Sequence, residues 1–163
     1  MQTTRPSLRN DGRVVCMERT NVRYLTPEII PESLDFGTVD VSFISLKLIL
    51  PALQKLMKPE GELVCLVKPQ FEAGREKVGK KGVVRDPKVH LEVLEQFLHH
   101  ASESGFSVKG LSFSPIRGPE GNIEYLLHLK KRPEGTEVPD SLTVKVEDVV
   151  AQAHGALDKP AEK

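Results

Sequence analysis

Glu62-Leu-Val-Cys-Leu-Val-Lys68 is the stretch on which the fold turns. Its apolar run is unbroken from Leu63 to Val67 and is bounded by Gly61 and Pro69. It is too short for a buried helix and shows no alternation. It therefore reads as a strand that is apolar on both faces, in the middle of a covered sheet. Upstream, Lys58 to Gly61 reads as a turn. Before that turn Leu46, Ile49, Leu50, Leu53, Leu56 and Met57 recur at helical spacing. Pro51 falls among them, so the helix either starts near Leu50 or bends there. Thr38-Val-Asp-Val-Ser-Phe43 reads as a strand, Thr26-Pro27-Glu28 as a capped helical turn, Arg19 to Leu25 as a loop, and Arg13 to Glu18 as a further short strand. Downstream, Pro69 to Arg85 carries three glycines and reads as a loop. Asp86-Pro87 opens a helix whose apolar stripe is Val89, Val93, Leu94, Phe97, Leu98 and Ala101, and Gly105 ends it. Strands over 106–114 and 123–129 flank the turn Gly118-Pro-Glu-Gly121 in a hairpin-like unit. Pro133 to Pro139 is a polar connection. Leu142, Val146, Val149, Val150, Ala153 and Leu157 form the stripe of a final helix.

Strands alternating with helices and then a closing antiparallel strand describe an α/β fold with a mostly parallel sheet. The chain has 163 residues, 39% apolar and 28% charged, with zero formal net charge. These values fit one globular domain and exclude a disordered chain or a uniformly basic nucleic-acid binder. Charge is unevenly placed. Residues 68–88 carry seven basic and three acidic side chains, and residues 134–163 carry seven acidic and three basic ones. The pattern describes a basic loop on a neutral body with an acidic tail. The two cysteines, Cys16 and Cys65, are far apart, lie in apolar runs and lack a CxxC pattern, so both are expected to be buried packing residues. No apolar run approaches a membrane span and residues 1–12 are polar, so a cytoplasmic location is the expectation.

Sheets of this kind bind ligands at the carboxyl ends of their strands. Three polar residues fall at or near such ends: Asp40, Lys68 and Glu124. Two of them have a bland reading. Lys68 could pack its stem and lift its head to water, and Glu124 could lie on an exposed edge or bond to the neighbouring turn. The sharper reading sets a desolvated lysine beside carboxylates. The histidines have no ligand spacing, so no metal is implied. Hydrolase, P-loop and dinucleotide fingerprints are absent. The segment Gly74 to Lys88, with Lys77, Lys80, Lys81 and Arg85, is glycine-rich and cationic and so could contact phosphates. Phe71 and Phe113 are expected in the core rather than as base-stacking platforms.

Five segments together carry a resemblance: Met17-Glu-Arg-Thr-Asn-Val-Arg-Tyr-Leu25, Asp40-Val-Ser-Phe-Ile-Ser-Leu46, Leu66-Val-Lys-Pro-Gln-Phe-Glu72, Gly82-Val-Val-Arg-Asp-Pro87 and Gly118-Pro-Glu-Gly-Asn-Ile-Glu124. In this order they resemble the TlyA family, historically called hemolysins, whose catalytic domain is FtsJ-like. The resemblance covers roughly residues 8–131. It implies a Rossmann-like, S-adenosylmethionine-dependent enzyme that methylates ribose 2'-hydroxyls of ribosomal RNA on the ribosomal subunit. It also implies a Lys-Asp-Lys-Glu tetrad, in which the Asp corresponds to Asp40, the second Lys to Lys68 and the Glu to Glu124. Thr20, Asn21 and Asp40 correspond to donor contacts. Lys77, Lys80, Lys81, Arg85 and Arg117 are the expected RNA contacts. A ribose hydroxyl is a weak nucleophile, which must be aligned with the methyl group and relieved of its proton. A lysine near other cations can take that proton or steady the alkoxide.

The family's S4-like RNA-binding domain, first catalytic lysine and glycine-rich donor loop have no counterpart in the sequence. Residues 1–132 are therefore expected to be a partial methyltransferase domain, and 133–163 a linker and helix. On this reading the strand over Arg13–Glu18 lacks its neighbour. An edge of the Thr38–Phe43 strand is open, which invites self-association. Weak donor binding and little activity of the chain alone are also expected. The rival readings are a remnant that binds RNA or a partner without chemistry, and a different Rossmann-like nucleotide enzyme. The absent phosphate loop opposes the second. A cytolytic role finds no amphipathic membrane segment.

Overall fold

The computed structural model describes residues 4–137 and 145–158. Leu142 and Pro139, assigned above to the final stripe and its connection, lie outside the described residues. Four strands, β1 (Leu34–Val39), β2 (Met57–Val67), β3 (Phe106–Phe113) and β4 (Tyr125–Lys131), form one sheet in the order β1-β2-β4-β3. β1 and β2 are parallel, and β4 is antiparallel to both β2 and β3. Three strands thus share one direction and β4 alone is reversed, the mostly parallel sheet with a closing antiparallel strand that the sequence describes. β2 lies inside the sheet as its composition demands.

One face of the sheet holds the core. Leu63, Cys65 and Val67 of β2 and Tyr125, Leu127 and Leu129 of β4 are almost fully buried. They pack in one cluster with α2 (Leu50–Leu56), α4 (Pro87–Glu103) and α5 (Val146–Leu157), whereas the single turn α1 (Pro6–Arg9) is exposed. Each fully buried Leu or Phe of such a cluster contributes roughly 1.5–3 kcal/mol. α4 starts as its sequence predicts: the Asp86 side chain accepts from the Lys88 N–H, and Pro87 occupies the first turn. Of the two expectations at Pro51, the helix that starts at Leu50 is the one observed. A separate 3-10 turn covers Leu46–Leu48. Cys65 is a core residue whose thiol is pushed up to about 12 by burial.

Several expectations are corrected. Arg13–Glu18 forms no strand, because no described segment offers it a hydrogen-bonding ladder. Val15 is 84% exposed, and Cys16, expected in the core, is exposed with it. β1 spans 34–39 rather than 38–43, which leaves Asp40 just beyond its end. The turn at 58–61 is instead a bulge inside β2. Leu34 faces Met57 while Phe36 faces Glu62, and Glu60 takes φ 64 to absorb the extra length. The second sheet face is only half covered: Phe36 is 57% exposed, and Leu126 beside half-buried Val64 and Leu66 is 36% exposed. The 69–85 loop carries short helical turns, including α3 (Pro69–Glu72). Among the described residues β1 has no partner on its outer side, so its edge is open. No described helix is long and apolar enough to cross a membrane.

Candidate active site

Topology brings the three singled-out residues to one end of the sheet. Asp40 follows the last residue of β1 and Lys68 the last residue of β2. Because β4 runs the other way, Val67 pairs with Tyr125, and Glu124 stands at the start of β4 beside the end of β2. Lys68 Nζ lies 2.6 Å from Asp40 Oδ1 and donates to Ser42 Oγ at 3.2 Å. The Lys68 side chain is 10% exposed and that of Asp40 70% exposed, so the pair spans the boundary between core and solvent. The stem-packing reading of Lys68 is therefore only half of the picture, because the ammonium is held down by a carboxylate and a hydroxyl.

Glu124 is 7% exposed, and its Oε1 has no hydrogen-bond partner among the described residues; Gln70 Oε1 is orphaned in the same way. Burial raises the carboxyl pKa above its ordinary value, while the Lys68 charge pulls it down. Buried acceptors without donors are uncommon and call for an explanation. Gly118 permits the arrangement: a Cβ there would collide with the Glu124 carboxylate. The turn behind it is fixed by Gly118 N–H donating to Asn122 O at 2.8 Å, and Ser114 N–H donates to Glu124 O at 2.8 Å.

A cavity of about 360 Å³ opens over these groups, lined by Phe43, Lys68, Phe71, Lys81, Asn122 and Glu124 among others. Phe43 is 90% exposed at φ 63, the left-handed region that a bulky residue adopts at a cost. Its ring lies 5.0 Å from that of Phe71. Phe71 is thus not a core residue but part of the cavity wall, whereas Phe113 packs against the core as expected. Glu72 ties the two strand ends together: its carboxylate accepts from Ser45 Oγ at 2.7 Å and from Leu46 N–H at 2.8 Å. Ser42, Phe43, Gln70 and Glu72 were not singled out from sequence, although each lies within a motif segment quoted above. Their roles depend on which strand ends meet.

The remaining candidates are dispersed. Asn21 Oδ1 accepts from Arg23 N–H at 3.0 Å, and Thr20 Oγ1 donates to Glu18 O at 3.2 Å; both residues are exposed and neither lines the cavity. Lys81 lines it; Lys80 and Arg85 are exposed. Lys77 pairs with Glu92 at 2.5 Å. Arg117 donates to Gly121 O at 2.7 Å, to Leu157 O and to Asp158 Oδ1, and so clasps the end of α5 to the turn before Asn122.

A model of FtsJ-like methyltransferases matches residues 1–131. The chain belongs to that family. Within it, the chain is 45% identical over 148 residues to the 16S/23S rRNA (cytidine-2'-O)-methyltransferase TlyA of Mycobacterium tuberculosis, a match that covers 90% of this chain and 53% of TlyA. It is 39% identical over 122 residues to Hemolysin A of Brachyspira hyodysenteriae, covering 74% of this chain and 51% of that one. A solved chain from Streptococcus thermophilus, provisionally named a hemolysin, superposes with a TM-score of 0.85 at 51% identity, covering 93% of this chain and 54% of that one. This family member therefore spans about half the length of the curated relatives it matches.

Proposed function

We propose that the chain carries the acceptor-activating part of an S-adenosylmethionine-dependent methyltransferase that acts on ribose 2'-hydroxyls of ribosomal RNA. The observation that carries this reading is the pair of donor-less buried acceptors, Glu124 Oε1 and Gln70 Oε1, beside a lysine already anchored to Asp40 and Ser42. Two of the three N–H groups of the ammonium are engaged, which leaves one for a substrate oxygen. Glu124 Oε1 accepts the hydrogen of the incoming hydroxyl. Lys68 Nζ donates to the same oxygen as its negative charge develops. Asp40 holds the ammonium in place. The exposed Phe43 ring, with the Phe71 ring tilted behind it, offers an apolar face on which the nucleobase of the target can rest.

S-adenosylmethionine, when bound, supplies an electrophilic methyl group on a sulfonium. The residues present fit such a group electrostatically. Asp40, Glu124 and Lys68 sum to one negative charge, which complements a cation. Thr20, Asn21 and Asp40 are the side chains assigned to hold it. Lys80, Lys81 and Arg85, exposed on the 74–88 segment, are assigned to RNA phosphates. The open edge of β1 supports pairing with a second polypeptide strand.

Transfer of tritium from labelled S-adenosylmethionine to ribosomal RNA tests the reading. The wild-type chain, with its weak donor binding, is expected to label RNA slowly, and Lys68→Met to lose at least about a hundredfold of that rate. Equal labelling by both proteins sinks the assignment of Lys68. A folded chain that labels no RNA and binds RNA as tightly after Lys68→Met as before favours the non-catalytic RNA-binding reading instead.

A further inference from the structure

A second groove lies outside the acceptor site. The 3-10 turn at Val22–Tyr24 and the following residues form one wall, and the start and outer side of α2 form the other. The enclosed volume is about 480 Å³, and its walls include Arg23, Tyr24, Lys47, Leu48, Pro51 and Lys55. Among the described residues no carboxylate lines it. None of its three cations has an ion-pair partner among the described residues. The Tyr24 ring is 67% exposed, and the Arg23 guanidinium carbon sits 5.7 Å from its centroid.

This charge is local, because the chain has no net charge. A groove of about 510 Å³ between α4 and α5 has the opposite character, with Glu92, Glu95 and Glu147 in its walls. The basic groove also has a definite position. Lys47 comes four residues after Phe43 and directly follows Leu46, whose N–H Glu72 holds. The short segment from Phe43, in the wall of the acceptor cavity, to Lys47, in the wall of the groove, therefore joins the two, and the groove follows α2 through Pro51 and Lys55.

We propose that this groove takes a single-stranded RNA segment flanking the target ribose, with phosphates on Lys47 and Lys55 and one base against Tyr24. The proposal rests on the RNA reading above. Unpaired cations along an exposed ring are what a single strand needs: the cations track its backbone, and the ring stacks a base that has left its own stack. A duplex keeps its bases stacked and cannot use Tyr24.

Fluorescence anisotropy with a labelled decauridylate tests the proposal on the whole chain, at salt concentrations from about 50 to about 200 mM. The altered side chains are on the surface, and circular dichroism verifies that each variant is folded. Tyr24→Ala is expected to weaken binding about tenfold. Lys47→Gln with Lys55→Gln is expected to lower the slope of log affinity against log salt by about 1.4, or about 0.7 per lost phosphate contact. An RNA duplex of equal length is expected to bind without sensitivity to Tyr24. Variants that bind decauridylate as the wild type does, while Gln at Lys80, Lys81 and Arg85 abolishes binding, overturn the groove and leave the RNA reading standing. No binding by the wild type overturns both. If poly-glutamate, and not RNA, loses affinity in the groove variants, the groove takes an acidic peptide and the proposal is wrong.

Discussion

Asn122 and Glu124 are two residues apart and equally hidden from solvent, yet they lie in opposite kinds of surroundings. Asn122 is 3% exposed and fully employed: its Oδ1 accepts from Val84 N–H at 3.0 Å, and its Nδ2 donates to Gly82 O and Pro119 O. Next to it, His90 Nε2 bonds Val84 O at 2.8 Å, and His90 Nδ1 meets the Tyr125 hydroxyl at 2.9 Å and His154 Nε2 at 3.0 Å. Glu124, across Ile123, keeps an oxygen with no donor among the described residues. The difference separates two uses of buried polarity. A closed network fixes the backbone and gains nothing from a ligand. An open one is held by its surroundings at a cost that a ligand can relieve.

Removing a member of each cluster should therefore have opposite effects on stability. Asn122→Ala leaves the buried Val84 N–H without an acceptor and frees the 79–84 segment from the glycine turn. The expected loss is about 2–3 kcal/mol, read from the urea midpoint at constant slope. Glu124→Gln removes a buried carboxylate and keeps its shape. The expected change is a gain of up to about 1 kcal/mol, accompanied by loss of methyl transfer. A loss from Glu124→Gln as large as that from Asn122→Ala breaks the comparison, since Glu124 would then be structural. A stable Asn122→Ala breaks it from the other side.

The sequence made the site visible through contrast. Lys68 ends a strand too apolar for a charge, and Glu124 precedes one, so both stand out against their neighbours. The five motif segments then placed Asp40 with them. The inner position of β2 and the two helices around Pro51 and Asp86 were equally legible, because proline geometry and caps act locally. What was hidden depends on long-range pairing. The run Arg13–Glu18 has strand composition, but composition cannot supply a partner strand, and without one its backbone stays irregular. Phe43 looked like a strand residue; its left-handed, exposed conformation follows from β1 ending at Val39. Arg117 reads as a free cation in sequence, and only the approach of α5 gives it Asp158 and the Leu157 carbonyl.

The smallest effect sharpens the comparison most, because it gives the two clusters opposite pH dependences. Burial lowers the His90 pKa first, the nearby His154 charge adds to that, and the bond to Val84 O together with Asp158 and Asp86 opposes it. Tyr125, whose hydroxyl burial keeps protonated, faces the same ring. In the unfolded chain a histidine takes up its proton near pH ~6.5. As pH falls through that value the unfolded state binds the proton first, so the His90 contribution is whole above it and is lost as pH falls toward the lower folded value. Glu124 behaves the other way. Its folded pKa is raised, so the folded state holds the proton longer, and that contribution is present at low pH and lost as pH rises through the folded value. Urea stabilities of the wild type, His90→Gln and Glu124→Gln between pH ~5 and ~8 check this. The wild type minus His90→Gln difference should shrink on acidification, and the wild type minus Glu124→Gln difference should grow. Parallel curves for the two variants would mean that the closed and the open cluster respond to protons as one unit.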